Sequence, residues 1–218
     1  MQIFNPATVQ GATLRGDWIV FLIAAAVVGA VLYGLIIGPL IVWRRRSDDD
    51  PLPPQFNKNQ KWSVAYISIP LLIVIGLFYV TYTREKRVEA LVPAPYAIVD
   101  VTAFRWSWRF RYPQAGITIT GTPRADPLLV LPVDQTTQVN LYAADVTHSM
   151  WIPAFLFKRD AIPGMANHFD FRPTRTGEFR GLCAQYCGLD HALMHFNVKV
   201  VSDQTFQRWL GSHGSIAL

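Results

Sequence analysis

Cys183-Ala-Gln-Tyr-Cys187-Gly-Leu-Asp-His191-Ala-Leu-Met194 gathers two thiols, an imidazole and a thioether, all of them soft or borderline metal ligands. These are the only two cysteines of the chain, so any thiol chemistry it performs belongs here. Spacings of four, four and three also fit one face of an α-helix, which can be simple core. The flanks favour another picture. Gly177-Glu-Phe-Arg-Gly-Leu before the stretch and Phe196-Asn-Val-Lys-Val-Val after it alternate with the two-residue period of a half-buried strand. A strand, a ligand-dense loop holding Gly188 and a second strand is the economical reading. A Cys183–Cys187 disulfide is the competing one, since an exported domain sits where disulfides persist. A second histidine, His148 in Asp-Val-Thr-His-Ser-Met-Trp, lies far upstream and is the natural partner from a neighbouring loop.

The rest of the 218 residues divide into apolar and mixed text. The chain carries a formal charge of +5 and is 51% hydrophobic, high for a soluble protein and low for a polytopic one. From Trp18 to Trp43 every residue is apolar, aromatic, Gly or Pro, beyond the roughly 20 residues that span a bilayer and beyond the core of a cleaved leader. Residues 63–82 form a second uncharged run, with Pro70 inside it, which membrane helices tolerate. The polar loop between them, 44–62, contains Arg44, Arg45, Arg46, Lys58 and Lys61 against Arg15 alone in the N-terminal tail. Positive charge stays inside, so the loop is expected in the cytoplasm and both termini on the outer, periplasmic face of a bacterial plasma membrane. Residues 1–91 are thus read as tail, transmembrane hairpin and short linker.

Residues 92–218 read as one outer domain of ordinary size. Strands are expected over 96–101, 104–112, 128–132, 137–143, 167–172, 179–183 and 196–201, which are β-branched or aromatic and bounded by Pro, Gly and Asp. Short strands at this density point to a sandwich or barrel. A closing helix over 202–210 would take Ser202 as its N-cap. There is no Ser-His-Asp arrangement, phosphate loop or zinc-protease motif, and nothing points to a nucleic acid.

Two thiolates, two imidazoles and a thioether exceed what a mononuclear blue-copper site uses. With both thiolates bridging two copper ions, each copper receives two sulfurs and one histidine, and Met194 and a backbone carbonyl remain as weak ligands. At this point the sequence resembles subunit II of the haem-copper oxidases, the cytochrome c oxidase type carrying the dinuclear copper A centre. The family loop Cys-x-x-x-Cys-Gly-x-x-His-x-x-Met is intact, and Leu131-Pro-Val-Asp134, Asp145-Val-Thr-His148-Ser and Lys158-Arg-Asp160-Ala-Ile-Pro-Gly164 are similar to its other signature stretches.

The resemblance implies a membrane-anchored all-β chain, a two-helix transmembrane hairpin followed by a cupredoxin-like Greek-key β-sandwich or barrel. It implies two copper ions held by His148, Cys183, Cys187, His191, Met194 and the main-chain oxygen of Gln185. Many relatives place Glu at that last position, where its carboxylate also reaches magnesium or manganese at the subunit boundary. Gln185 supplies no charge, which puts such an ion in doubt. In the aromatic stretch Phe104-Arg-Trp106-Ser-Trp108-Arg-Phe-Arg-Tyr112, read as one strand, Trp106, Trp108, Phe110 and Tyr112 share a face. The family's first Trp is where electrons arrive from the donor, which points to Trp106, while Trp108 and Tyr112 read as packing. His168 and His195 are expected to bond locally or face solvent and His213 to lie in a mobile tail. Asp145 and Asp160 are read as docking or turn residues.

The expected function is that of an electron-transfer subunit. Single electrons from a cytochrome c-like donor or a neighbouring respiratory complex would pass to haem in catalytic subunit I, which holds a further copper and reduces oxygen to water, with subunit III as another neighbour. A related nitric oxide reductase subunit, a membrane-anchored copper chaperone or thiol oxidoreductase, and a copper-free quinol oxidase subunit are the alternatives. From Arg84 onward fourteen Lys and Arg face eleven Asp and Glu, so the acidic steering of a basic cytochrome c is weak here. An acidic, neutral, fused or bound donor is the expectation.

Overall fold

The computed structural model describes residues 5–44, 47 and 58–215. Arg45, Arg46 and residues 48–57 of the expected cytoplasmic loop lie outside the described residues. The chain forms two compact units, one over Gly16–Glu85 and the other from Met1–Arg15 together with Lys86–Leu218.

Helices α1 (Val9–Val42) and α2 (Gln60–Glu89) contain the two apolar runs, and both are long and apolar enough to cross a membrane. At 1.5 Å per residue α1 is roughly 50 Å long, more than a hydrocarbon core needs. Most of the large apolar side chains between Trp18 and Tyr82 are exposed, Leu35, Ile41, Leu72 and Phe78 among them. A surface of this kind is stable against lipid or a partner helix and unstable in water. Asp17 and Arg84, 2.8 Å apart, tie the two helices together at one end.

The second unit is a β-sandwich. Its strands among the described residues are β1 (Ala97–Phe104), β2 (Ser107–Tyr112), β3 (Ile117–Thr120), β4 (Leu128–Pro132), β5 (Thr137–Ala143), β6 (His148–Ile152), β7 (Phe157–Ala161), β8 (Asn167–Phe171), β9 (Gly177–Cys183) and β10 (His195–Val201). They form two five-stranded sheets, ordered β3-β2-β1-β5-β8 and β4-β10-β9-β6-β7. β1 pairs parallel to β5 and β4 parallel to β10, and the other pairs are antiparallel. The alternation seen in sequence becomes an inner face of Val99, Val101, Val139 and Leu141 from one sheet and Leu129, Met150, Val198 and Val200 from the other, all buried.

Aromatic rings fill both ends of this core. Trp108 and Phe110 pack edge-on against Phe196, with centroids 5.2 and 5.5 Å apart. Tyr112 packs on Trp209 of α3 (Asp203–Gly211), whose N-cap Ser202 accepts the Thr205 N–H as the closing-helix reading requires. The Tyr112 hydroxyl donates to the Val130 carbonyl and accepts the Val130 N–H, at 3.0 and 2.7 Å. Trp108 and Tyr112 are therefore packing residues.

Besides the added strands β3, β6 and β7, two features differ from the sequence reading. The expected strand over 104–112 is a hairpin: β1 ends at Phe104, the chain turns at Arg105 and Trp106, and β2 starts at Ser107. Trp106 thereby leaves the face of Trp108, Phe110 and Tyr112 and stands in the turn. The second feature is at the N-terminal end. Ala7 and Thr8 are completely buried, Ala7 N–H donates to Ala154 and its carbonyl accepts from Thr174, and Val9 N–H donates to Arg172. Thr8 caps α1 by accepting the Gly11 N–H at 3.0 Å and donates to the Phe155 carbonyl at 3.3 Å. Residues 5–11 are a strap built into the β unit, where the sequence reading placed them with the membrane hairpin.

Candidate metal centre

Three pieces of chain meet at one end of the sandwich. β6 begins at His148, β9 ends at Cys183, and the loop from Ala184 to Met194 returns to β10. β6 and β9 pair through Met150 and Cys183, and the Cys183 N–H donates to the Met194 carbonyl, so the sheet itself sets the first thiol. The remaining donors are brought back by a bend at Gly188, whose φ is 119°. A side chain there would be strained and its Cβ would lie 3.1 Å from the Trp106 ring nitrogen. A short helical turn, His191–Leu193, then delivers His191 and Met194.

The donors fall into two sets around two sulfurs. Cys183 Sγ lies 3.9 Å from His148 Nδ1 and 3.2 Å from the Gln185 carbonyl oxygen. Cys187 Sγ lies 3.5 Å from His191 Nδ1 and 3.8 Å from Met194 Sδ. The sulfurs are 4.0 Å apart and both thiols are free, about twice the length of a disulfide bond. Ligands at 2.0–2.3 Å from a shared tetrahedral ion stand about 3.3–3.8 Å from one another, so the spacings suit metal ligation. His148, Cys183, Cys187 and Met194 are buried, and the ligand atoms of His148, Cys183 and Cys187 lie within 4.8 Å of one another.

Electrostatics point the same way. Burial resists ionisation of Cys183, but hydrogen bonding to His148 and to the Ser149 and Gln185 backbone brings its pKa down to about 7. Burial and the neighbouring Cys183 charge push Cys187 up to about 12. One thiolate forms readily and the second is held back by the first, so a cation is what stabilises both. For His148, burial opposes the charged form, and the contacts with Cys183 and Asp145 outweigh it and raise its pKa.

Trp106 is half-buried and donates its ring N–H to the Cys187 carbonyl at 3.2 Å, in direct contact with the ligand loop. Asp145, read in sequence as a docking or turn residue, has its Oδ1 2.9 Å from His148 Nε2. The only sequence signal for that contact is the three-residue spacing. Tyr186, Leu189 and Leu193 of the ligand loop are exposed. The other candidates lie apart from the cluster. His168 bonds to Asn140, His195 is shifted down by burial and by the charge of Arg180, and His213 stands in the turn after α3 with φ 51°. Arg159 pairs with Glu89 at 3.0 Å, and Lys158 is an exposed residue of β7.

The sandwich has counterparts among known proteins. Residues 121–201 match the family model described as cytochrome c oxidase subunit II, periplasmic domain. A probable cytochrome c oxidase subunit 2 of Streptomyces avermitilis is 33% identical over 94% of this chain and 76% of its own length. The chain belongs to the cytochrome c oxidase subunit II family. A cytochrome c oxidase subunit 2 of Mycobacterium tuberculosis is 29% identical over 90% of this chain and 70% of that protein. The periplasmic domain of subunit II of the Bradyrhizobium japonicum cytochrome oxidase superposes with a TM-score of 0.51 at 33% identity, over 56% of this chain and 96% of that domain. Subunit II membership makes the chain part of an oxidoreductase complex with a cupredoxin-like domain, and its soft cluster of thiol, imidazole and thioether fits copper.

Proposed function

We propose that this chain is the subunit that receives electrons in a respiratory haem-copper oxidase and holds two copper ions between Cys183 and Cys187. His148, His191, Met194 and the Gln185 carbonyl would complete the donor set around the two thiolates. The observation that carries this reading is the division of donors into two sets around free sulfurs 4.0 Å apart. Bound copper supplies a one-electron couple. The chain supplies two buried thiolates, imidazoles aimed through Nδ1, and a rigid β framework that holds the donors in place.

Trp106 is where electrons from the donor arrive. Its ring N–H bond to the Cys187 carbonyl gives a hydrogen-bonded path from this half-buried aromatic side chain to a ligand residue. Electrons leave to haem in the catalytic subunit, and oxygen is the terminal acceptor. The membrane helices pack against that subunit through their small residues, Ala24 to Ala26 and Gly29, and Gly29 has open space around its Cα. The basic loop faces the cytoplasm and both chain ends face the outer side. Gln185 presents a neutral amide, a weaker ligand than carboxylate for magnesium or manganese at the subunit boundary.

The full chain, purified in detergent with its thiols reduced and then loaded with copper, gives the test. Two coppers per chain sharing one unpaired electron in the paramagnetic resonance spectrum are expected, and Cys183→Ser or Cys187→Ser removes that signal. One copper with hyperfine structure from a single nucleus, or a Cys183–Cys187 disulfide with no copper retained, overturns the reading.

A further inference from the structure

Asp145 sits between β5 and β6 and accepts on both oxygens. Oδ1 accepts the Val146 N–H at 2.7 Å and faces His148 Nε2 at 2.9 Å. Oδ2 accepts the Arg105 backbone N–H at 2.8 Å and the Arg105 Nε–H at 3.2 Å. A carboxylate only accepts, so the hydrogen of the neutral imidazole is on Nε2. Nδ1, which faces Cys183 Sγ, is left with the lone pair that a metal needs. The residue after Arg105 is Trp106, which donates to the Cys187 carbonyl. The contacts close a ring: Asp145 to His148, His148 to Cys183, Cys183 to Cys187, Cys187 to Trp106, and through Arg105 back to Asp145.

We propose that Asp145 is the positioning residue of this centre, fixing the tautomer and aim of His148 with one oxygen and holding the Arg105–Trp106 turn against the ligand loop with the other. The inference rests on the copper reading above. It assigns Asp145 an internal role in place of donor docking: both oxygens are occupied, Arg105 neutralises the charge, and the side chain is only 24% exposed. Nothing else in the ring can do this work, because Asp145 alone touches both the ligand histidine and the turn that carries Trp106. In Asp145→Asn one of the two sites becomes an NH2 group, and either His148 Nε2–H or the Arg105 N–H then faces a donor.

The test compares the copper-loaded full chain with Asp145→Asn and Asp145→Glu, using Asp160→Asn as the control. In Asp145→Asn copper affinity falls about 10- to 100-fold, the usual effect of losing such a partner. The midpoint potential rises because the imidazole loses an electron-donating acceptor, and the paramagnetic resonance spectrum changes at the histidine nitrogens. Asp145→Glu restores part of the potential, and Asp160→Asn leaves all three readouts at the parent values. In the copper-free parent chain with its thiols reduced, nitrogen-15 resonance of His148 shows the proton on Nε2, a measurement that does not depend on any variant folding. A proton on Nδ1, or an Asp145→Asn variant with parental affinity, potential and spectrum, overturns the role of Asp145 while leaving the copper reading intact. A parent chain that retains no copper overturns both.

Discussion

Phe196 lies across β9 and β10 from Gly181, and a Cβ at 181 would run into its ring. Because that ring also packs on Trp108 and Phe110, it cannot swing away freely. Gly181→Ala is therefore expected to cost about 1–3 kcal/mol by overpacking, read as a lowered thermal midpoint. Asp170 gives a pH dependence. The residue is buried, with Oδ2 accepting the Val92 N–H at 2.7 Å and Oδ1 lacking a partner among the described residues. Burial raises its pKa above the ordinary 3.8, against the smaller opposite effect of the Val92 bond. The unfolded chain releases this proton first, so stability falls as pH rises from the ordinary value through the raised one and is level beyond it. Asp170→Asn removes that slope, and the melting difference in favour of the variant widens as the pH rises above the ordinary carboxyl value; parallel curves would contradict the assignment. The cluster of thiol, imidazole and thioether was legible at this scale because Cys, His and Met at fixed spacing are rare. Asp145 was not, since its meaning depends on which groups a turn delivers to its two oxygens.

Among the elements, the strap of residues 5–11 makes the most specific prediction. Thr8→Val removes the cap of α1 and the bond to the Phe155 carbonyl, for a loss of about 0.5–2 kcal/mol. Gly11→Val sets a Cβ 2.5 Å from the Phe155 carbonyl oxygen and is expected to expel the strap. Both variants should expose the segment to protease at concentrations that leave the parent intact, and an unchanged digestion pattern would show that the strap does not hold. Its sequence, Asn5-Pro6-Ala7-Thr8, has no periodicity, and its partners are about 150 positions away, so nothing local announces it. The strands that alternate, β5, β9 and β10, were readable, and so was β4, a short apolar run closed by Pro132. β3, β6 and β7 were not. β3 has four residues, β6 buries four of its five and so shows no alternation, and β7 carries Lys158, Arg159 and Asp160 in succession. The turn at Trp106 was hidden because the aromatic pattern continues across it.

Charge decides what the whole molecule expects of its donor. With a surplus of three positive charges from Arg84 onward, long-range attraction to a strongly basic cytochrome c is weak. Turnover of the assembled oxidase with such a donor should be slow and should change little with ionic strength. Fast turnover that declines steeply with salt would refute this. The two apolar runs were legible because a bilayer demands length and little else, whereas the way the sandwich recruits a segment from the far side of both spans was beyond any window of sequence. That recruitment governs biosynthesis. Residues 5–9 leave the ribosome before the two helices, and their partners at 154 and 172–174 leave only after both helices have been made. The earlier segment must therefore lie on the same side of the membrane as the later strands that enclose it. An N-terminus stranded on the opposite side of the membrane would leave the sandwich with an unfilled seam, so sidedness is checked at the moment folding is completed.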